Sequence, residues 1–165
     1  MTARMEHRAS FATTAEKVYA TLVDETFLTA RLERLGGKDA ALTGRTVDGE
    51  RTTVTLRQAI DAQHLPSVAR ALLNGDLVVT REERWRRSDD GYVADTAASV
   101  SGVPGQIRGT MRLAGGDSAT LSTVAEVTVN IPFVGGKVES AVAEQITRLI
   151  EAEAEFATAW LAEHA

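Results

Sequence analysis

The chain has 165 residues, of which 44% are hydrophobic, and this size and composition favour a single folded domain spanning residues 1–165. The 18 basic and 23 acidic residues give a formal net charge of −5, which argues against a nucleic-acid partner. Because the chain contains no cysteine, it has no disulfide, no thiolate metal ligand and no cysteine nucleophile.

The hydropathy of the chain indicates where the protein resides. Residues 1–11 lack the apolar run of a secretory signal peptide. No stretch approaches the roughly 18 consecutive apolar residues that a membrane-spanning helix needs. We therefore expect a cytoplasmic protein that does not insert into a membrane.

Residues 4–11 alternate between polar and less polar side chains, which predicts a half-buried first strand. The inner face of this strand carries Met5, His7, Ala9 and Phe11. A histidine on such a face is either a hydrogen-bonded core residue or a contact to a ligand, and both readings stay open.

Two short helices are predicted after the first strand. Thr13 or Thr14 is a suitable N-cap, and apolar residues then recur at helical spacing as far as Leu35. Residues 24–25 divide this region into two helices. The pair at 36–37 ends the second one, since glycine adopts the left-handed conformation that helix ends commonly need.

The chain becomes rich in strands from residue 39 onward. Turn sequences such as Asp48-Gly49 and Gly115-Gly116-Asp117 separate the strands, and such short connections favour antiparallel neighbours. The predicted strands are 39–47, 51–60, 77–87, 92–101, 106–113 and 119–131.

One connection, residues 61–76, is much longer than the others. Its apolar residues from Val68 to Leu73 predict a short amphipathic helix that Asn74-Gly75 closes. Long connections in compact domains are often lids or binding loops. The segment is therefore either a plug for one end of the sheet or a lid that gates entry.

Residues 138–163 predict one long helix, on the order of 40 Å in length. Its apolar residues return at three- and four-residue steps and so form one stripe. The members of this stripe are Val138, Ala141, Val142, Ile146, Leu149, Ala152, Phe156 and Trp160.

The order of strand, two helices, six strands and long helix predicts an α+β fold. A seven-stranded antiparallel sheet with one apolar face covers that face by curving around the terminal helix. This order resembles the helix-grip fold of the START-like, polyketide-cyclase-like (SRPBCC) superfamily. Within it, three segments are similar to an actinobacterial family of uncharacterised proteins: Leu65-Pro66-Ser67, Glu83-Arg84-Trp85 and residues 131–137, which read IPFVGGK.

The resemblance implies a curved sheet that grips the helix around a cavity for apolar or amphipathic molecules. Members of the superfamily include lipid carriers, cyclases, aromatases, hormone receptors and co-chaperone modules. Fold alone therefore does not choose between these functions.

Two apparent motifs carry no cofactor or metal chemistry. The Gly136-Lys137 pair lacks the phosphate-loop pattern, because Ile131 stands where a glycine is required and Val138 where a serine or threonine is required. The three histidines are far apart in sequence and show no ligand spacing. We expect no cofactor and no metal site.

Polar residues interrupt two of the apolar faces. Gln145 and Glu153 fall on the stripe of the long helix, and Arg81 and Glu83 share one side of their strand with Trp85 unless a bulge shifts the register. A buried charge costs several kcal/mol unless it is paired. We expect compensation by an ion pair such as Arg81 with Glu153, by a water-filled cavity, or by a ligand head group.

The leading hypothesis is a protein that binds a hydrophobic or amphipathic small molecule between the sheet and the long helix. Apolar side chains would form the walls, and polar ones would anchor the ligand. The candidate ligand-binding residues are His7, Arg81, Glu83, Trp85, Met111, Leu121, Val142, Gln145, Leu149, Glu153 and Phe156.

Two alternatives use the same residues. One is an enzyme of cyclase, aromatase or hydrolase type, in which burial raises the pKa of Glu83 or Glu153 so that it acts as a general acid or base, or in which His7 acts. Against it, no nucleophile elbow and no oxyanion motif occur in the sequence. The other is an interaction module whose apolar groove docks a second protein.

Overall fold

The structure is a computed structural model that describes residues 2–65, 67–72 and 77–164. The helices are α1 (Ala15–Leu22), α2 (Glu25–Leu35), the 3₁₀ helix Ala62–His64, α3 (Ser67–Leu72) and α4 (Gly135–Glu163). The strands are β1 (Thr2–Phe11), β2 (Ala41–Asp48), β3 (Arg51–Ile60), β4 (Leu77–Ser88), β5 (Gly91–Val100), β6 (Gly105–Gly115) and β7 (Ala119–Val129).

The strands form one antiparallel sheet in the order β1-β7-β6-β5-β4-β3-β2. Strands β2 to β7 pair with their neighbours in chain order, and β1 adds to the far edge beside β7. Short turns join these strands except between β3 and β4, where the long connection of residues 61–76 intervenes. The predicted α+β architecture, with a seven-stranded curved sheet and a long C-terminal helix, is confirmed. Connections of two to four residues explain the antiparallel pairing of four of these five strand pairs, because parallel neighbours need a much longer crossover.

The two helices between β1 and β2 begin where the sequence predicts. The hydroxyl oxygen of Thr14 accepts a hydrogen bond from the amide of Lys17, and the carboxylate of Asp24 accepts one from the amide of Phe27. These N-caps satisfy amides that the first helical turn leaves unpaired. The interruption at residues 24–25 is therefore the N-cap of α2.

The start of α4 differs from the sequence-based prediction. The helix begins at Gly135, three residues before Val138, and the left-handed residue that precedes it is Phe133, with φ of 69°. Gly135 serves close packing instead, since a Cβ atom there would lie 2.8 Å from the carbonyl oxygen of Val129. The turn between β7 and α4 thus rests on a phenylalanine, which adopts this conformation at a cost.

The core forms two clusters along α4. The larger one joins α1, α2 and the C-terminal part of α4 to the sheet around Phe27, Trp85 and Leu113. The smaller one packs the N-terminal part of α4, including Val138 and Val142, against the ends of the neighbouring strands. The middle of α4 lies between these clusters, and there its residues are only half-buried.

Gly109 allows a close backbone approach between β6 and β7. It lies on the inner face of β6 between Ile107 and Met111, and a Cβ atom there would lie 2.3 Å from the carbonyl oxygen of Val124. No ordinary Cβ atom fits at that distance. The glycine therefore permits the local backbone packing and leaves the inner face bare at this point.

A candidate ligand cavity bounded by a buried ion network

The half-buried middle of α4 faces a cavity of about 510 Å³, here called the main cavity. Residues of β1 and β3 to β7 form its sheet wall, and the residues from Gln145 to Ala152 form its helix wall. Most of these side chains are apolar, among them Met5, Ile60, Ile107, Met111, Ile146 and Leu149.

The mouth of the main cavity lies between α2, the start of the long connection and α4. It is marked by the exposed residues Arg34, Asp61, His64 and Arg148. The amide nitrogen of Gln145 donates a hydrogen bond to the carbonyl oxygen of His64, at 3.1 Å. This bond ties the helix to the segment that borders the opening.

The short helix predicted in the long connection is present in part. Residues 67–72 form α3, whereas the predicted continuation through Leu73 and Asn74-Gly75 lies outside the described residues. Leu65 is buried in the smaller core cluster, and Asp61 and His64 border the main cavity. Gating of entry by this segment stays a prediction.

Four charged side chains, here called the ion network, lie at the inner end of the main cavity. Nη1 of Arg81 donates to both carboxylate oxygens of Glu153, at 3.0 and 2.9 Å, and Nη2 of Arg81 lies 2.5 Å from Oε2 of Glu83. Nε of Arg31 lies 3.6 Å from Oε2 of Glu153. All four are buried, and their formal charges sum to zero.

Strand geometry explains why two of these charges point inward. The residues of β4 alternate strictly between buried and less buried, with Leu77, Val79, Arg81, Glu83 and Trp85 on the inner face. The register of β4 with β3 and β5 is continuous through these positions. The alternative of a bulge is therefore wrong, and the predicted pairing of Arg81 with Glu153 is confirmed.

The network fixes the ionisation of its members. Burial raises the pKa of Glu153, but the charges of Arg31 and Arg81, with hydrogen bonds from Arg81 and Gln58, outweigh it and hold that pKa below its ordinary value. Burial lowers the pKa of Arg81, and Glu153 and Glu83 raise it further than burial lowers it. The expectation that the pKa of Glu153 lies above its ordinary value is therefore wrong.

A second, much smaller space of about 30 Å³ lies behind the ion network and is here called the inner chamber. It is large enough for about two water molecules. Four residues line both this chamber and the main cavity and so form the partition between them: Arg81, Met111, Thr123 and Ile150.

The structure divides the predicted ligand-binding residues between these two spaces. Arg81, Met111, Gln145 and Leu149 line the main cavity. Five other predicted residues line the inner chamber: His7, Glu83, Trp85, Leu121 and Glu153. The predicted set is thus split by the Arg81 partition.

Two predicted wall residues line neither space. Val142 is buried in the smaller core cluster, and Phe156 packs against Phe27 and Trp160 in the larger one. Both residues belong to the apolar stripe of α4, but the sheet and α2 close on the two ends of the helix. The main cavity is lined by the middle of the stripe, at Ile146, Leu149 and Ala152.

Sequence reasoning missed three polar residues of the site. Gln58 lies on the inner face of β3 between Leu56 and Ile60, and its Nε2 lies 3.4 Å from Oε2 of Glu153. Arg31 follows Phe27 by one helical turn, on the buried side of α2. The signal was available in both places, since each is a polar residue on a periodic apolar face.

The third, Thr123, lies on the inner face of β7 opposite Met111 of β6 and His7 of β1. Its hydroxyl oxygen, Oε1 of Gln58 and Nη2 of Arg31 are buried and have no hydrogen-bond partner among the described residues. Gln58 lines the main cavity and Arg31 the inner chamber, so each space has a buried polar atom that a water molecule or a polar group could satisfy.

The described ranges contain no cluster of three or more histidine, cysteine, aspartate or glutamate residues arranged to hold a metal ion. Within the same ranges, no helix is both long and apolar enough to cross a membrane.

Comparisons with known proteins place this architecture in a family. Residues 6–161 match the family described as "Protein of unknown function (DUF2505)". An uncharacterised protein of Mycobacterium tuberculosis strain H37Rv is 32% identical, over 93% of this chain and 93% of its own length. An uncharacterised protein of Mycobacterium bovis matches with the same identity and coverage.

Solved structures share the fold at much lower identity. An aromatase/cyclase, Zhui, from Streptomyces sp. R1128 superposes with a TM-score of 0.62 at 11% identity, covering 96% of this chain and 93% of that one. A START superfamily protein from Mycobacterium smegmatis gives 0.55 at 16%, covering 92% and 97%. A norcoclaurine synthase from Thalictrum gives 0.56 at 15%, covering 99% and 96%.

Proposed function

The chain belongs to the DUF2505 family within the START-like superfamily, and we propose that it binds a hydrophobic or amphipathic small molecule, lipid-like or polyketide-like, in the main cavity. The observation that carries this proposal is the cavity itself. Its volume of about 510 Å³ lies within the range of roughly 300–1,000 Å³ that small-molecule sites occupy.

The chemistry of the walls supports an apolar ligand body. Aliphatic side chains from β1, β3 and β6 face those of α4 across the cavity, for example Met5 and Ile107 opposite Ile146 and Leu149. Removing apolar surface from water contributes about 25 cal/mol per Å². A largely apolar molecule that fills this space would therefore gain most of its affinity from burial.

The geometry supports binding over acid–base catalysis. A general acid must hold a proton near neutral pH, whereas Glu153 is held ionised by Arg81 and Arg31. Glu83 lies against Arg81 and accepts a hydrogen bond from the indole nitrogen of Trp85 at 3.3 Å. Both carboxylates are thus committed to internal partners.

The shape of the site supports a small molecule over a docked protein. The main cavity is concave, with walls from six strands and α4, whereas protein-docking sites are usually exposed apolar patches. Its mouth is bordered by polar side chains such as Arg34 and His64.

Native mass spectrometry of freshly purified protein, followed by organic extraction, tests the proposal. We expect a bound apolar compound or, for the emptied protein, saturable binding of the neutral fluorophore N-phenyl-1-naphthylamine. Ala98→Phe should abolish either signal, because Ala98 lines the cavity.

Ala97→Phe is the matched control, because Ala97 is the exposed neighbour on the opposite face of β5. A wild-type protein that binds neither compound would overturn the proposal. So would an Ala98→Phe variant that is folded and binds as well as the control.

A further inference from the structure

We propose that the ligand of the main cavity is uncharged and presents a hydroxyl group, as hydrogen-bond donor, to the side-chain oxygen of Gln58. The inference rests on the function proposed above and names the chemical class of its ligand. It is carried by the contacts of Gln58 and by the charge balance of the ion network.

Gln58 is a buried side chain on the wall of the main cavity. Its Nε2 lies 3.4 Å from Oε2 of Glu153, whereas its Oε1 has no hydrogen-bond partner among the described residues. A buried acceptor without a partner is costly, and native proteins rarely leave one. The position therefore suits a donor that arrives with a ligand.

The neighbouring carboxylate determines which end of the amide faces this ligand. An ionised carboxylate only accepts hydrogen bonds, so Glu153 selects the NH₂ end of Gln58. Turning the amide over would place two acceptors against each other. Oε1 is therefore held as the acceptor, and it requires an O–H or N–H donor.

At Gln58 the ion network disfavours a charged donor and a charged acceptor alike. Nη2 of Arg31 has no hydrogen-bond partner among the described residues, but this side chain lines the inner chamber and not the main cavity. The two Nη atoms of Arg81 are taken up by Glu153 and Glu83, so a ligand carboxylate at this depth would meet carboxylates that are already bound. A ligand ammonium would meet Arg81 and, beyond Glu153, Arg31. An alcohol or phenol donates a hydrogen bond without adding charge, and so it fits both conditions.

A matched series of twelve-carbon probes tests the inference at pH 7.5: 1-dodecanol, its methyl ether, dodecanoate and dodecylammonium. Each competes with N-phenyl-1-naphthylamine for the purified protein. We expect 1-dodecanol to bind about tenfold more tightly than the ether, which lacks only the donor, and more tightly than either charged probe.

Gln58→Met should bring the affinity for the alcohol within about twofold of the affinity for the ether. Gln106→Met controls for the substitution itself, because Gln106 is exposed on β6. Equal binding of alcohol and ether by the wild-type protein would overturn the inference, and so would dodecanoate binding tightest with no effect of Gln58→Met.

The two proposals fail in different ways. If the fluorophore and the ether bind but the alcohol binds no more tightly than the ether, the cavity binds apolar molecules and only the hydroxyl assignment is wrong. If no probe and no fluorophore binds, both proposals are wrong. The comparison of probes on the wild-type protein holds even if Gln58→Met fails to fold.

Discussion

Replacing Glu153 by glutamine removes one charge from the ion network and preserves the size and shape of the side chain. Nη1 of Arg81 loses a carboxylate at 2.9 and 3.0 Å, and Arg31 loses its counter-charge at 3.6 Å. Glu83 then has to balance two buried guanidinium groups. We therefore expect Glu153→Gln to destabilise the folded protein strongly.

The distances give the scale of the effect. Two unit charges about 3 Å apart attract each other by roughly 5–6 kcal/mol at an effective dielectric constant of about 20. Desolvation offsets part of this attraction, and removal of one partner from a buried pair typically costs about 3–5 kcal/mol. For a domain of this size, that loss lowers Tm by roughly 6–20 °C.

Urea unfolding followed by tryptophan fluorescence measures this free energy directly. Trp85 is a suitable probe because it is buried and donates a hydrogen bond to Glu83. Glu155→Gln is the matched control, since Glu155 is exposed on the same helix, and we expect its effect to stay within about 0.5 kcal/mol.

A double variant, Arg81→Met with Glu153→Leu, tests whether the charges are coupled. It removes one charge of each sign, so it should cost at least about 1–2 kcal/mol less than the sum of the two single variants. A cost below about 1 kcal/mol for Glu153→Gln, or strictly additive single variants, would refute the reasoning that these charges stabilise one another.

Three further predictions address pH, the helix start and the sheet. The pKa of Glu153 in the folded protein lies below the unfolded value of about 4.3. The contribution of this carboxylate to the free energy of unfolding is therefore present above about pH 4.3 and is lost as the pH falls through the folded pKa. The stability gap between wild type and Glu153→Gln, measured by urea unfolding from pH 7 to pH 3, should therefore narrow at low pH, and a constant gap would contradict this. Glu139→Leu should cost about 1–3 kcal/mol in the same assay, because buried Glu139 accepts the Val129 amide at 2.8 Å; Glu139→Gln keeps an acceptor and should cost less. Gly109→Ala should cost about 1–3 kcal/mol through overpacking against Val124, whereas Gly116→Ala, which has open space, should be nearly neutral; equal effects would contradict the assigned role.

The ion network was predictable because strand and helix periodicity decide which residues face inward. Period-two alternation in β4 places Arg81 and Glu83 beside Trp85, and the 3.6-residue repeat of α4 places Glu153 on the buried side. Two buried charges of opposite sign on facing elements must then pair. The same rule, applied to β3 and α2, would also have identified Gln58 and Arg31.

The open part of the inner face was not predictable from the same patterns. Periodicity treats Val142, Leu149 and Phe156 as equivalent, but only Leu149 lines the main cavity. The difference depends on how far the sheet and α2 close on the ends of α4. That distance follows from three-dimensional packing, which a one-dimensional repeat does not contain.

The turn before α4 shows a second limit. Glycines at 135 and 136 would allow a sharp turn, yet the left-handed residue of this turn is Phe133. Gly135 is needed because it lies against the end of β7, a contact between residues that the sequence pattern alone does not bring together.

The mutual dependence of Arg31, Arg81, Glu83 and Glu153 also limits the substitutions open to this chain over evolutionary time. The free energy of unfolding of a typical domain is only about 5–15 kcal/mol, so a descendant that loses one of these charges loses a large share of its stability. Substitutions that remove one acidic and one basic residue together avoid a chain with an unpaired buried charge. Among related chains, the four positions should therefore covary, with the charges kept as a balanced set or replaced by apolar residues in matched pairs.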